Sequence, residues 1–96
     1  MQHLAPARAR FRQLAESGPD PRVADLWDWE NGVLKTDRFE DYLGYASSGE
    51  EVFARFLAMV WFWSNRYEFD LATAIDILEP EYKLRIVDHI VSPIRP

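Results

Sequence analysis

The 96-residue chain is 48% hydrophobic and 15% aromatic, with a formal net charge of −5, so it has the apolar content of one folded domain and not of a disordered segment. It contains no cysteine, which excludes a disulfide framework, a thiolate zinc site, an iron–sulfur cluster and a cysteine nucleophile. Its acidic balance argues against general phosphate binding, which needs clustered Lys and Arg.

Charge is unevenly spread. Residues 1–22 carry four Arg against Glu16 and Asp20, a net of +2, whereas residues 23–56 carry eight acids against three bases, a net of −5. Residues 1–12 are charged without an apolar stretch, so no secretory leader is expected. The longest apolar run, residues 56–63, covers about 12 Å as a helix, far short of a bilayer core of about 30 Å. The expectation is a soluble, cytoplasmic protein with no membrane contact.

Residues 6–17 predict a first helix, with Leu4, Ala7, Phe11, Leu14 and Ala15 as a narrow apolar stripe. Gly18-Pro19 stops it, since Gly permits a left-handed cap and Pro cannot continue a helix. Asp20-Pro21 reads as an N-cap with Pro at the first helical position, opening a short helix over residues 21–30. Val23, Leu26 and Trp27 share its inner face, and Trp29 lies off it. Asn31-Gly32 is also a hairpin signal, but the flanking segments are short, so a helix end is preferred.

Thr36 is the expected cap of a third helix over residues 37–45, with Phe39, Tyr42, Leu43 and Ala46 inward. Ser48 and Glu51 form a capping-box pattern that opens a helix over residues 49–64. From Phe56 onward that helix is apolar on all sides and must be covered on all sides. Asp70 caps a fifth helix, residues 71–78, with Leu71, Ala74, Ile75 and Leu78 inward. Glu79-Pro80 opens a sixth, residues 80–91, using Tyr82, Leu84, Ile86, Val87, Ile90 and Val91. The fold class is therefore all-α: one domain over residues 1–96, an irregular or orthogonal bundle of five to six short helices around the central apolar helix of residues 49–64.

No motif carries chemistry. None of the five serines lies in a G-x-S-x-G elbow, and no H-E-x-x-H or Glu-x-x-His pattern occurs. His89, near a helix C-terminus, reads as a surface or cap-proximal histidine. The acids Asp25, Asp28, Glu30, Asp37, Glu40 and Asp41 read as a solvated face. Arg8, Arg10 and Arg12 spread over about 400° of helical arc and form no tight basic stripe. No cofactor, metal or catalytic residue is expected.

The aromatic residues are the strongest lead. As helix, Trp27-Asp28-Trp29 and Trp61-Phe62-Trp63 each send two indoles to opposing sides. One small core does not easily cover both, and Trp, Tyr and Arg are enriched at binding hot spots. Trp29, Trp63, Arg66 and Tyr67 are thus the candidate interaction residues. The expected function is a non-enzymatic interaction or regulatory module that binds a protein partner or a second copy of itself. The alternatives are a nucleic-acid-related role, through the acidic middle or the N-terminal arginines, and an enzyme with an unrecognised site.

Overall fold

The computed structural model describes residues 6–96, and these are 67% helical with a tiny two-stranded sheet. The helices surround α3 (Ser48–Phe62), which buries Val52, Phe53, Ala54, Phe56, Leu57, Ala58 and Val60. Their spacing covers most of the helix circumference, as the all-round apolar sequence requires. The N-cap is Ser47, one residue before the expected Ser48. Its hydroxyl accepts from the Glu50 N–H at 3.3 Å, and the Glu50 carboxylate accepts from the Ser47 N–H at 2.9 Å. Glu51 instead pairs with Arg55 at 3.0 Å, one turn on. The helix ends at Phe62 because Trp63 turns into the left-handed region, with φ 51° and ψ 40°.

α1 (Pro6–Glu16) buries Phe11 and Ala15. Gly18 follows it, but not as a left-handed cap, since the one glycine with positive φ among the described residues is Gly32. Gly18 is needed for close approach: a Cβ there would stand 2.5 Å from the Phe53 ring. Asp20 caps the next segment as expected, accepting from the Arg22 N–H at 3.1 Å. That segment is a 3-10 helix, Pro21–Leu26, that stops well short of residue 30.

The expected helix end at Asn31-Gly32 is a hairpin turn. β1 (Trp27–Asp28) pairs antiparallel with β2 (Val33–Leu34), Trp27 opposite Leu34 and Asp28 opposite Val33. Gly32 takes φ 66°, and the Arg8 guanidinium lies where its Cβ would be. Extended backbone places residues two apart on one face. Trp27 and Trp29 therefore stack, with centroids 5.8 Å apart and planes 17° apart, and do not diverge. Phe11 and Trp61 close on the pair at 5.3 to 6.2 Å and lie 5.1 Å from each other. This four-ring cluster anchors a hairpin far too short to hold itself.

α2 (Thr36–Tyr45) starts one residue before the expected position, and its N-cap is Lys35, with no side-chain cap; Thr36 lies inside the helix. Phe39 and Tyr42 are its buried residues. The Tyr42 hydroxyl donates to Asp20 at 3.1 Å, and Arg22 Nε pairs with the same carboxylate at 3.0 Å. Burial pushes the Asp20 pKa up, but the Arg22 and Tyr42 hydrogen bonds outweigh it and hold the carboxyl below its ordinary value. α4 (Leu71–Ile77) is capped by Asp70, whose carboxylate accepts from the Ala72 N–H at 3.2 Å. α5 (Pro80–Val91) begins with Pro at its first position, as read from Glu79-Pro80. No helix among the described residues is long and apolar enough to cross a membrane.

Candidate protein-docking surface

α3 is almost fully enclosed, so α4 and α5 each need only one face to cover it. α4 buries Ala74, and Leu78, the residue that ends it, is buried as well. α5 buries Ile86, with the Tyr82 and His89 rings half-buried against Phe53 and Phe56. Both helices carry more aliphatic residues than that contact uses. Leu71, Ile75, Leu84, Val87, Ile90 and Val91 are 47% to 77% exposed. Leu71 and Ile75, expected inward on α4, point outward, as do Leu84, Val87, Ile90 and Val91 on α5. The cause is arithmetic: two short helices meet one central helix, whose surface cannot accept six further aliphatic side chains.

Four of the outward residues, Leu71, Ile75, Val87 and Ile90, share one groove. Leu71, Ala74 and Ile75 of α4 face Ile86, Val87 and Ile90 of α5 across a groove of about 270 Å³, in which Lys83 is the lone polar lining residue. On α5, Leu84, Val87 and Val91 repeat at i, i+3 and i+7, the stripe by which a helix meets a partner. Scattered exposed aliphatics are normal on a protein surface, but a contiguous apolar patch marks an interaction site.

A second concavity, about 300 Å³, lies between α1 and α5 and is lined in part by Arg10, Ser17, Arg85, Asp88 and His89. Three of its polar side chains, Ser17, Arg85 and His89, are already engaged. The Ser17 hydroxyl donates to the Leu14 carbonyl at 2.8 Å and accepts from Arg85 Nε at 3.3 Å. His89 Nδ1 accepts from the Ile94 N–H at 3.5 Å, tying down the C-terminal segment. Burial lowers the His89 pKa, so the ring is neutral and its acceptor nitrogen free of a proton at neutral pH. Serine and histidine line one cleft, yet no hydrogen bond joins them as nucleophile and base. Among the described residues no three His, Asp or Glu side chains gather as metal ligands.

The four sequence-derived candidates fall in different places. Trp29 is half-buried in the ring cluster, with its indole N–H donating to the Ala24 carbonyl at 3.1 Å and Arg12 over its face at 5.4 Å. Trp63 is 47% exposed, but Arg95 lies over its ring at 4.3 Å and His89 flanks it at 6.3 Å. Arg66 is exposed and stands 4.4 Å over the Phe62 ring. Tyr67 is half-buried against Phe39, and its hydroxyl donates to Glu40 at 3.0 Å. Burial, and then the Glu40 carboxylate, raise its pKa. Arg66 and Tyr67 share the Phe62 neighbourhood, while Trp29 and Trp63 are not in ring contact.

Two of the N-terminal arginines are also engaged within the fold: Arg8 against Gly32, and Arg12 with Glu16 at 3.5 Å. The acidic residues of the middle segment do not converge. Asp28 accepts from Asn31, Glu40 from Tyr67, and the others are exposed. Sequence reasoning passed over the α4–α5 face because a 3.6-residue stripe looks the same whether it meets the core or a partner. The signal that was there is an excess: α4 and α5 together carry more aliphatic residues than one buried face needs. Comparison with protein-family models, curated proteins and solved structures finds no match for this chain.

Proposed function

We propose that this protein is a non-enzymatic interaction module that docks a helix of another protein on the apolar face of α4 and α5. The observation that carries the reading is that face: four exposed aliphatic side chains, Leu71, Ile75, Val87 and Ile90, line one groove whose lining is apolar apart from Lys83. Burying a Val, Leu or Ile side chain completely contributes about 1.5–3 kcal/mol. Covering the exposed half of these four therefore offers on the order of 3–6 kcal/mol before the cost of association. Trp29 and Trp63 rank below this face, because the fold already covers much of the first with rings and the second with Arg95. A non-enzymatic role is supported by the engaged state of Ser17 and His89.

The test compares the wild type with Ile90→Asp and Arg38→Ala by affinity capture from nuclease-treated native lysate. The captured protein is then reconstituted with the chain and mapped by hydrogen exchange. The reading expects a stoichiometric partner that the wild type and Arg38→Ala retain and Ile90→Asp loses, with added protection confined to residues 71–91. A partner retained equally by all three, or recovery of the bait alone, would refute it.

A further inference from the structure

We propose that residues 92–96 form a latch operated by His89, closed while the ring is neutral and released when it takes a proton, so that mild acid opens it. Ile94 is buried and lines the α1–α5 cleft beside Leu14. Arg95 lies over the Trp63 ring at 4.3 Å. The Ile94 N–H donates to His89 Nδ1 at 3.5 Å, and among the described residues this is the one hydrogen bond that joins residues 93–96 to the rest of the chain. Pro93 and Pro96 have φ fixed by their rings, so closing the segment loses little backbone entropy and few contacts suffice to hold it. The latch is separate from the docking face, since none of residues 92–96 lines the α4–α5 groove.

Of these contacts, the one to His89 titrates near neutral pH. To accept from Ile94, Nδ1 must keep its lone pair, which places the single ring proton on Nε2. Protonation makes Nδ1 a second donor facing the first, and the attraction becomes a repulsion. The surroundings do not compensate the new charge. The ring is half-buried, with Phe56 of α3 at 5.6 Å and Trp63, which caps α3, at 6.3 Å. In the cleft α1 presents Arg10 with the uncharged Gln13 and Ser17, and α5 itself presents Arg85 and Asp88. The segment adds Ser92, and Arg95 on the Trp63 ring. Asp88 is thus the lone carboxylate among these groups, against the guanidinium groups of Arg10, Arg85 and Arg95. Burial lowers the His89 pKa in the closed state. The closed form is therefore favoured above the ordinary value near 6.5 of a released ring, and is lost as pH falls toward the closed-state pKa. Within that window each pH unit multiplies the open-to-closed ratio by up to about ten. Opening bares Trp63 and the seat of Ile94 between α1 and α5.

The experiment is an NMR titration of the nitrogen-labelled full chain from pH 8 to 5. The His89 ring nitrogens report the proton, the heteronuclear NOE of the Ile94 and Arg95 amides reports the latch, and the amides of residues 48–62 and 80–88 report the fold. His89→Phe keeps a ring against Phe56 and cannot take a proton; it is run in parallel, its fold checked by circular dichroism, and the wild-type result stands without it. At pH 8 the ring should carry its proton on Nε2, with the Ile94 and Arg95 amides as rigid as those of α5. Below about pH 6.5 the ring should take a proton and both amides become mobile at the same midpoint, while α3 and α5 stay rigid. In His89→Phe the mobility of the two amides should not change with pH. Amides that stay rigid while the ring titrates, or a ring that stays neutral down to pH 5, would overturn the latch. Loosening that persists in His89→Phe would also overturn it, as would loosening that reaches α3 at the same midpoint, which is general acid unfolding.

Discussion

Tyr42→Phe removes one oxygen from the contact between α2 and the 3-10 helix and leaves the ring packing in place. In the wild type that oxygen donates to Asp20 at 3.1 Å, with donor and acceptor residues 4% and 7% exposed. A hydrogen bond to a charged group contributes about 1.5–3 kcal/mol, and leaving a buried charged acceptor short of a partner costs a similar amount. Arg22 still holds Asp20 in the variant, so a loss near 1.5–2 kcal/mol is expected at pH 7. For a chain of this size each kcal/mol moves Tm by roughly 4–8 °C. The pH dependence sharpens the test. Asp20 has a folded-state pKa below its ordinary value of 3.8, so its contribution is present above that value and is lost as pH falls through the folded pKa. Tyr42 keeps its proton throughout, since burial and then Asp20 raise its pKa. The difference between wild type and variant should thus be constant from pH 5 to 8 and shrink toward that of a neutral hydrogen bond as pH falls through the folded pKa, below 3.8. Urea unfolding across that range is the assay. A loss below about 0.5 kcal/mol at pH 7, the floor for an ordinary net hydrogen bond, or a loss independent of pH would refute the assignment of Asp20 as a charge held by Tyr42.

Two further outcomes test neighbouring features. Ser47→Ala should cost about 0.5–2 kcal/mol in urea unfolding while Ser48→Ala stays within about 0.5 kcal/mol, because Ser47 alone holds the α3 cap; a larger loss from Ser48→Ala would move the cap. His89 has a lowered folded-state pKa, so its contribution is present above the unfolded value near 6.5 and is lost as pH falls through the folded pKa. The wild type should therefore lose stability between pH 7.5 and 5.5, and His89→Phe, compared by the same unfolding curves, should show a flatter slope in that interval.

Much of the fold is legible in the residues. The content of residues 56–63 announces an enclosed helix, and Asp20-Pro21, Asp70 and Glu79-Pro80 mark real starts. The misreadings have particular causes. Ser47 with Glu50 and Ser48 with Glu51 satisfy the same capping pattern, and the pattern cannot choose between them. The tie-breaker was Arg55, four residues after Glu51 and its partner in the fold. The hairpin is not legible in its own residues because two-residue strands have no stability of their own, and here four aromatic rings from three separate segments supply it. A short window of sequence does not contain that support. Gly18 suggests backbone freedom when its neighbours alone are considered, whereas the Phe53 ring, far along the chain, demands it. The docking face eluded sequence reasoning for a related reason. Periodicity reveals which residues share a side of α4 or α5, and the capacity of α3 to receive them depends on how many other elements reach it first.

The placement of the indoles also decides what light can report about this molecule. Trp27, Trp29 and Trp61 lie within 5.8 to 6.2 Å of one another, close enough to share excitation, so they behave as one chromophore at the junction of α1, the hairpin and α3. Trp63 stands apart beside His89, under Arg95. Emission from this chain therefore has two sources. The coupled trio follows the assembly of the N-terminal half, while the lone indole watches the end of α3 and the segment that closes over it. Replacing Trp63 by Phe would leave a clean reporter of the first. Retaining it gives a second signal near α5, the helix that carries most of the exposed apolar surface.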